Sequence, residues 1–390
     1  QGDVGSGKTA VALAGIFMAV KSGYQAAMVA PTEVLARQNA ILIKKYFPEF
    51  SVSALTGSTP AAEKREIKKG LSSGEINIVC GTHAVIQNDV VFKNLAFVVC
   101  DEQHRFGVAQ RASLSDKGDG CDVLIMSAAP IPRTLSLIFY GDLDITTIKD
   151  KPASRQEIST SVIPERKYSD MYKYVAEQAK LGNQTYFVCP KIEGDDEGTV
   201  MSATELYGEL QSKMPSVRIA LMHGKMKDRQ KNEIMSAFKA KEYDCLVSTT
   251  VIEVGVDVPD ATTMIIYNAE RFGLSQLHQL RGRVGRGDKK SYCFLLSGAD
   301  TEEARERLTV IKNSTNGFEI AEADLKMRGG GDFMGTRQSG KVLSEISNLK
   351  FPVEIIFTAK AISDEAFSGQ FDTKLLMRIA YEKYESLKDV

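Results

Sequence analysis

The residues from Gly2 to Thr9 read G-D-V-G-S-G-K-T and match the phosphate-binding pattern G-x-x-x-x-G-K-[ST] at every fixed position. The glycines Gly2, Gly5 and Gly7 would let backbone N–H groups approach a β-phosphate closely. Lys8 would reach the β- and γ-phosphates, and the hydroxyl of Thr9 would help to hold Mg²⁺. The pattern therefore predicts a site for a nucleoside triphosphate and its magnesium ion.

An acidic pair, Asp101 and Glu102, follows the apolar run "LAFVVC". A phosphate-binding loop needs one carboxylate for the Mg²⁺ shell and a second group that activates the attacking water. We assign Asp101 to Mg²⁺ and Glu102 to the general base. Taken alone, an Asp-Glu pair at a strand end is more typical of a solvated turn. Its place in D-E-x-H, downstream of a complete phosphate-binding loop, favours the catalytic interpretation.

A basic segment, "QLHQLRGRVGRG" (276–287), is the third feature that could do chemistry. It mixes three arginines with three glycines, namely Arg281, Arg283, Arg286, Gly282, Gly285 and Gly287. We expect all of them on one helix, although each glycine weakens a helix by roughly 1 kcal/mol relative to Ala. Small residues suit a backbone that approaches phosphate, and an arginine aimed at a γ-phosphate stabilises the transition state. The alternative is a solvated basic helix without a catalytic role.

Two series of β-branched runs alternate with helical stretches and must position these residues. The first predicts buried parallel strands at 26–30, 76–80, 95–102 and 121–127, and the second predicts strands at 184–190, 217–223, 244–250, 263–269 and 291–297. Helices are expected at 10–21, 32–46 and 61–71. This alternation predicts an α/β fold with two parallel-sheet lobes in tandem. Ligands should bind beyond the carboxyl ends of the strands.

The domain organisation follows from changes in this pattern. A polar, proline-containing stretch at 149–158 suits a linker, and we place the boundary near Pro152. Beyond about residue 300, charged helical sequence and a Gly-rich stretch replace the strands. The predicted domains are therefore 1–150, 151–305 and 306–390, the last a mostly helical appendage.

The 390 residues carry a net charge of −1, with 43% hydrophobic and 25% charged residues, an ordinary globular composition. The longest apolar runs have the length of strands, so we expect no membrane span and no membrane partner. A charge this close to neutral is not typical of nucleic-acid binding, which would need a local basic surface here. The six cysteines stand far apart, which favours free thiols in a cytoplasmic protein over disulfides or a zinc site.

The position of the phosphate-binding loop is unusual. Such a loop normally follows a β-strand, yet here it opens a chain that does not begin with Met. We therefore expect the chain to be a fragment that lacks the first strand of its first lobe.

The motifs "GDVGSGKT", "APTEVLARQ", "LTGS", "GTHAVIQ", "DEQHRFGV", "PIPRTL", "MHGKM", "TTVIEVGVDVP" and "QLHQLRGRVGRG" cover nearly the whole chain. In order and spacing the series resembles superfamily-two DNA helicases, and most closely the RecG-type branched-DNA translocases. Gln103 favours this type over transcription-repair coupling factors, which usually have a second Glu there. The segment 318–340 resembles the translocation motif that both families share, and its sequence is more similar to the RecG-type version. The resemblance implies two RecA-like P-loop lobes and a C-terminal, mostly helical appendage.

The resemblance also implies roles in ATP binding and hydrolysis. The residues that match the family's nucleotide motifs are Lys8, Thr9, Asp101 and Glu102 in the first lobe and Gly255, Asp257, Gln279, Arg283 and Arg286 in the second. Arg283 and Arg286 would stabilise the transition state, with ATP and Mg²⁺ as cofactors. Gly255 and Asp257 would link the nucleotide to DNA.

A second group falls where family members touch the duplex backbone or couple it to the nucleotide. Its members are Pro31, Thr32, Arg37, Gly57, Thr82, His83, His104, Arg328 and Arg337. Most are small or polar, as suits phosphate contacts that carry no sequence information. His104 would couple the nucleotide site to the other lobe, whereas His223 and His278 are equally well explained as packed structural histidines.

The glycines of the translocation motif, 329–331 and 335, permit a loop that few other residues could form. Arg328 and Arg337 would anchor this loop to DNA or to a helical hairpin around Arg305 and Arg307. The alternative is a flexible, solvated glycine loop.

Three departures from the family pattern bear on function. Ala129 stands where the family usually has Thr or Ser, which predicts weaker coupling between hydrolysis and movement. Gly330 stands where the family usually has Pro, which predicts a looser loop. The family's N-terminal DNA-wedge domain is not part of the sequence, so we expect weak or no fork specificity.

The leading hypothesis is an ATP-dependent double-stranded-DNA translocase that remodels branched DNA, such as stalled replication forks and Holliday junctions, in recombination and repair. One alternative is a motor of the transcription-repair coupling type. Another is a non-catalytic DNA-binding module. The expected partners are double-stranded and branched DNA, with single-strand-binding protein or other replication-fork proteins as further candidates. The expected oligomeric state is a monomer.

Overall fold

The computed structural model describes residues 1–101, 120–127, 144–150, 157–190, 202–249, 258–299, 301–328 and 378. Two compact units divide the chain. One combines 1–129 with 147–315 and contains both sheets, and the other combines 130–146 with 316–390. The domain limits at 150 and 305 stay predictions.

The first sheet has five parallel strands in the order β2-β3-β1-β4-β5. They are β1 (Gln25–Val29), β2 (Val52–Leu55), β3 (Ile78–Gly81), β4 (Leu95–Cys100) and β5 (Asp122–Ile125). Three helices of this lobe are described: α1 (Lys8–Lys21), α2 (Glu33–Tyr46) and α3 (Ala61–Ser73).

Strand β1 is buried on both faces of this sheet. Ala26 and Met28 pack in one apolar cluster with residues of α1 and α2, such as Ile16. Ala27 and Val29 pack in a second cluster with residues of α3, such as Leu71. Because successive side chains of a strand point to opposite faces, helices cover both sides of the sheet.

The second sheet has six parallel strands in the order β6-β11-β10-β7-β9-β8. They are β6 (Ile158–Val162), β7 (Gln184–Val188), β8 (Ile219–Met222), β9 (Cys245–Ser248), β10 (Ala261–Ile266) and β11 (Ser291–Leu295). The helices described here are α4 (Tyr168–Lys180), α5 (Ala203–Lys213), α6 (Asp228–Lys239), α7 (Leu274–Arg281) and α8 (Glu302–Asn313). In the other unit, α9 spans Gly317–Arg328.

The two parallel sheets and the alternating helices confirm the predicted α/β fold with tandem lobes. All nine predicted strands are present, and β2 and β6 are additional. Strand β6 begins at Ile158, the last residue of the stretch that we interpreted as a linker. Within the described part of the chain, no helix combines the length and apolar character needed to cross a bilayer.

The start of the chain is tied to the segment before β6. Gly2 forms an isolated parallel bridge with Ile148, and the Ile148 N–H donates to the carbonyl of Gln1 at 2.8 Å. The backbone at the start of the phosphate-binding loop is therefore paired with the segment that precedes β6.

The six cysteines are free thiols, and all except Cys121 are buried. Burial raises the pKa of the Cys80 thiol to about 12, and that of Cys121 to about 11. Since the thiolate is the reactive form, these two cysteines are poor nucleophiles at neutral pH.

Candidate nucleotide and DNA site

The loop from Gly2 to Thr9 has the backbone geometry of an anion site. Gly5 and Gly7 have φ angles of +74° and +91°, which residues with a Cβ rarely adopt. Gly7 is the N-cap of α1, and no side chain caps this helix. The N–H groups of the first helical turn lack partners within the helix, and together with the helix dipole they favour a bound anion.

The polar side chains of the loop fit a polyphosphate. The Lys8 ammonium donates to the carbonyls of Gly2 and Asp3, at 2.8 Å each, which holds its charge on the loop. The buried Ser6 hydroxyl has no hydrogen-bond partner among the described residues. A Cβ on Gly2 would stand 2.4 Å from this hydroxyl oxygen, so the loop leaves no room for a side chain at residue 2.

Thr9 and Asp101 are the predicted magnesium ligands. Thr9 lies in the first turn of α1, and the Asp101 N–H donates to the Val29 carbonyl at 2.9 Å, directly beyond the end of β4. Both offer oxygen atoms, which Mg²⁺ prefers, and Mg²⁺ commonly takes only one or two carboxylates besides phosphates and waters. The donor set therefore fits this ion.

The predicted helix through residue 287 is wrong. Helix α7 ends at Arg281, and Gly285 has a φ angle of +74°, which no right-handed helix contains. Arg283 and Arg286 therefore lie in the turn that follows the helix. Arg283 is 9% exposed and Arg286 is exposed, while Gln279, within α7, is half-buried.

Arg281 is buried, in contrast to the expectation of an arginine that reaches phosphate. It is 2% exposed, and its Nη1 donates to the carbonyls of Ile311 at 2.6 Å and Ser314 at 2.8 Å. Burial lowers the pKa of its guanidinium, and the negative charge of Asp3 partly opposes this shift. Arg281 thus fixes the C-terminal end of α8, whose last carbonyls need donors.

The second lobe contacts the phosphate-binding loop through two neighbouring residues. His278 Nε2 lies 2.5 Å from Asp3 Oδ1, and both side chains are buried. One turn further, a Cβ on Gly282 would stand 2.8 Å from Val4 Cγ1. Asp3 and Val4 occupy variable positions of the loop pattern, so motif reasoning passed over them. A carboxylate inside an anion-binding loop is the signal that could have identified Asp3.

Predicted DNA-contact residues meet at the carboxyl ends of β1 and β2. The Thr32 hydroxyl caps α2 by accepting from the Leu35 N–H at 3.4 Å. Arg37 Nη2 lies 3.4 Å from the Thr56 hydroxyl, and Lys64 donates to the Gly57 carbonyl at 2.7 Å. Pro31 directly precedes Thr32, so this cluster joins four residues that the sequence assigned to DNA.

The end of the neighbouring β3 adds two more of the predicted residues. Thr82 is the N-cap of a short 3₁₀ turn that begins at His83, and the side chain of His83 is exposed. Gly81 precedes them, and a Cβ there would stand 2.2 Å from the Leu55 carbonyl oxygen. Glycine therefore permits the close approach of β3 to β2 at this edge.

An open groove of about 1000 Å³ extends from this cluster to the second lobe. Its lining is Glu33, Arg37 and Ser58 from the first lobe and Arg229, Asn232, Glu233, Ile234, Ser236, Ala237, Ala240, Glu242 and Tyr243 from the second. Arg229 forms an exposed ion pair with Glu233 at 2.8 Å. Arg229 lies on α6, after "MHGKM" rather than within it, so no motif predicts a role for it.

Several predicted residues lie outside the described residues, namely Glu102, His104, Gly255, Asp257 and Arg337, together with Ala129 and Gly330. Arg328 is the last residue of α9, in the other unit.

Comparisons with known proteins match three family models along the chain. Residues 1–138 match the model for "DEAD/DEAH box helicase" and residues 166–288 the model for "Helicase conserved C-terminal domain". Residues 314–366 match "ATP-dependent DNA helicase RecG, domain 3, C-terminal".

Individual relatives agree with these models. The chain is 47% identical to the ATP-dependent DNA helicase RecG of Thermotoga maritima, over 92% of this chain and 46% of the relative. It is 47% identical to the RecG of Streptococcus pneumoniae, over 90% of this chain and 53% of the relative. A solved structure of RecG bound to a three-way DNA junction matches with a TM-score of 0.75 and 42% identity, over 93% of this chain and 46% of that one. The chain thus spans about half the length of the relatives that it matches.

Proposed function

Because the chain belongs to the RecG-type family of superfamily-two DNA helicases, we propose that it is the motor of an ATP-dependent double-stranded-DNA translocase. Its substrates would be branched DNAs such as stalled replication forks and Holliday junctions. The observation that carries the proposal is the contact of the phosphate-binding loop with α7 and with the start of the arginine-bearing turn, through Asp3–His278 and Val4–Gly282 respectively. A motor of this class needs residues from both lobes at one nucleotide.

The residues of the first lobe would bind the nucleotide. The loop N–H groups and Lys8 would hold the phosphates, and Thr9 and Asp101 would hold Mg²⁺, which would supply positive charge against the phosphate oxygens. Glu102 would orient and deprotonate the attacking water, a role that rests on the family motif alone.

The residues of the second lobe would complete the site. Arg283 and Arg286 would donate to the phosphoryl oxygens in the transition state, with Gln279 beside them. Gly255 and Asp257 would transmit the nucleotide state toward DNA, and His104 would do so from the first lobe. These assignments follow the family motif residue by residue.

The groove lined by Arg37 and Arg229 is the proposed DNA path. It starts at the cluster of Thr32, Gly57 and Arg37, whose hydroxyl and N–H groups suit phosphate oxygens. Thr82 and His83 would extend the contacts, and Arg328 and Arg337 would act in the translocation motif. The related structure is of RecG on a three-way junction, so we infer junction DNA as the substrate class. We propose a monomer, and single-strand-binding protein as a protein partner at forks.

Steady-state ATP hydrolysis tests the proposal, with a model fork, a linear duplex and a single strand titrated in turn. We expect stimulation by DNA that contains duplex. The variant Lys8→Ala should lose hydrolysis by about 100-fold or more. Lys173→Ala, an exposed lysine on α4, is the control and should match the unchanged chain. Hydrolysis that no DNA stimulates would overturn the translocase assignment.

A further inference from the structure

A buried carboxylate lies inside the phosphate-binding loop, where the pattern does not require one. Asp3 is 3% exposed, and its Oδ1 accepts from the Val4 N–H at 2.6 Å. An acidic group here adds negative charge to a loop built for anions. Burying a carboxylate is strongly unfavourable unless hydrogen bonds and opposite charge compensate it.

That compensation comes from the second lobe. Arg281 Nη2 lies 2.8 Å from His278 Nδ1, and a guanidinium can only donate, so Nδ1 accepts. The other ring nitrogen, Nε2, therefore carries the proton that is shared with Asp3. The three side chains, Asp3, His278 and Arg281, combine one negative and one positive charge and are all buried.

The Arg281 side chain is held in place by the backbone of the second lobe. Arg281 donates at the same time to the carbonyls of Ile311 and Ser314, so the orientation of the His278 ring is fixed from the α8 side. The turn that carries Arg283 begins at the next residue, Gly282, which approaches Val4. The position of this turn relative to the loop is therefore set by the Asp3–His278 contact.

We propose that Asp3 and His278 form an interlobe latch that seats the arginine-bearing turn on the nucleotide loop. They are positioning residues for hydrolysis and do not themselves contact the nucleotide. The latch deepens the proposed function and rests on it for its catalytic consequences. The latch should also slow hydrogen exchange in both the loop and α7, and this consequence does not depend on hydrolysis.

The test uses the whole chain with Asp3→Ala, His278→Leu and the double variant. His278→Gln is the conservative control, because its amide can still donate to Asp3 and accept from Arg281. Four quantities are measured: kcat for ATP, KM for ATP, the affinity for Mg-ADP, and hydrogen exchange in peptides that cover 2–9 and 274–286. Circular dichroism checks that each variant is folded.

We expect His278→Leu to lower kcat about tenfold or more and to leave Mg-ADP affinity within about twofold. The double variant should be no worse than the poorer single variant, because both remove one contact. His278→Leu should speed exchange at residues 2–9, and Asp3→Ala should speed it at 274–286. His278→Gln should retain most of kcat.

Additive effects in the double variant would overturn the latch, as would an equal loss of Mg-ADP affinity and kcat in His278→Leu. If the unchanged chain does not hydrolyse ATP, the proposed function fails. The hydrogen-exchange data alone then decide whether the latch exists. Faster exchange on both sides would then still support the latch, and unchanged exchange would overturn it.

Discussion

Val4 occupies the space that a side chain at residue 282 would need: a Cβ built on Gly282 would stand 2.8 Å from Val4 Cγ1. Gly282 has φ −68° and ψ −3°, angles that any residue adopts. Glycine is therefore required by the approach of another lobe and not by its own backbone. Valine is stiff at χ1, so it cannot rotate away cheaply.

Gly282→Ala should push the turn away from the loop and lower kcat for ATP about tenfold, because the arginines of that turn would lose their position. Val4→Ala removes the obstructing methyl groups, so the double variant Val4→Ala/Gly282→Ala should recover most of the loss. Steady-state kinetics of the two single variants and the double variant measure this. A double variant as slow as Gly282→Ala would contradict the contact.

Gly81→Ala should destabilise the first lobe by about 3 kcal/mol, because the new Cβ would meet the Leu55 carbonyl oxygen at 2.2 Å. Gly208→Ala is the matched control, since nothing lies within 4 Å of its Cβ position on α5. It should stabilise the chain by up to about 1 kcal/mol, the helix preference for Ala over Gly. Urea unfolding followed by circular dichroism compares them, and equal midpoints would refute the crowding at Gly81.

Arg37→Ala and Arg229→Ala should each weaken duplex binding and reduce the slope of log affinity against log salt concentration by about 1, if each pairs with one phosphate. Arg218→Ala removes the same charge directly before β8, at a residue that does not line the groove and that pairs with Asp244, and should leave the slope unchanged. Fluorescence anisotropy of a labelled duplex over a salt series gives these slopes. If both groove variants show the same salt slope as the unchanged chain, DNA does not bind along the groove.

Asp260 should make stability depend on pH at the lower end of the range. Hydrogen bonds from Lys241 and Lys289 hold the pKa of its carboxyl below the usual 3.8. A lowered pKa in the folded state means that the contribution is present above the unfolded pKa and is lost as pH falls through the folded one. Asp260→Asn should therefore destabilise the chain at pH 7 by less than about 1 kcal/mol, because the pair is partly exposed.

The measurement for Asp260 is the thermal midpoint of both proteins from pH 7 to pH 3. The difference between them should shrink as the pH falls below 3.8. A difference that stays constant with pH would show that the carboxylate charge is not the cause.

The sequence predicted the sheets well because parallel strands buried on both faces appear as continuous apolar runs. Strands β2 and β6 escaped this rule. Ser53 interrupts the first, and the second reads I-S-T-S-V and lies at the edge of its sheet, where polar residues are tolerated. These two edge strands carry weak apolar patterns, so only their pairing with β3 and β11 reveals them.

Site residues could be predicted where a motif fixes the residue type. They could not be predicted where only a tertiary contact gives the residue its role. Lys8 and Thr9 follow from the loop pattern, and the structure places them at the start of α1. Asp3 stands at a position that the pattern leaves open, and its partner, His278, is 275 residues away. Arg281 has the same residue type as Arg283 and Arg286, and the sequence could not show that its guanidinium donates to the carbonyls of Ile311 and Ser314.

The bridge between Gly2 and Ile148 has a mechanical consequence. The strand that follows this segment, β6, is at one edge of the second sheet, and β8 is at the other, five strand spacings or about 24 Å away. If the second lobe turns about a fulcrum at Ile148, atoms beside the loop move least and β8 moves most. A turn of about 10° would carry β8 by roughly 4 Å, while the bridge between Gly2 and Ile148 would stay in place.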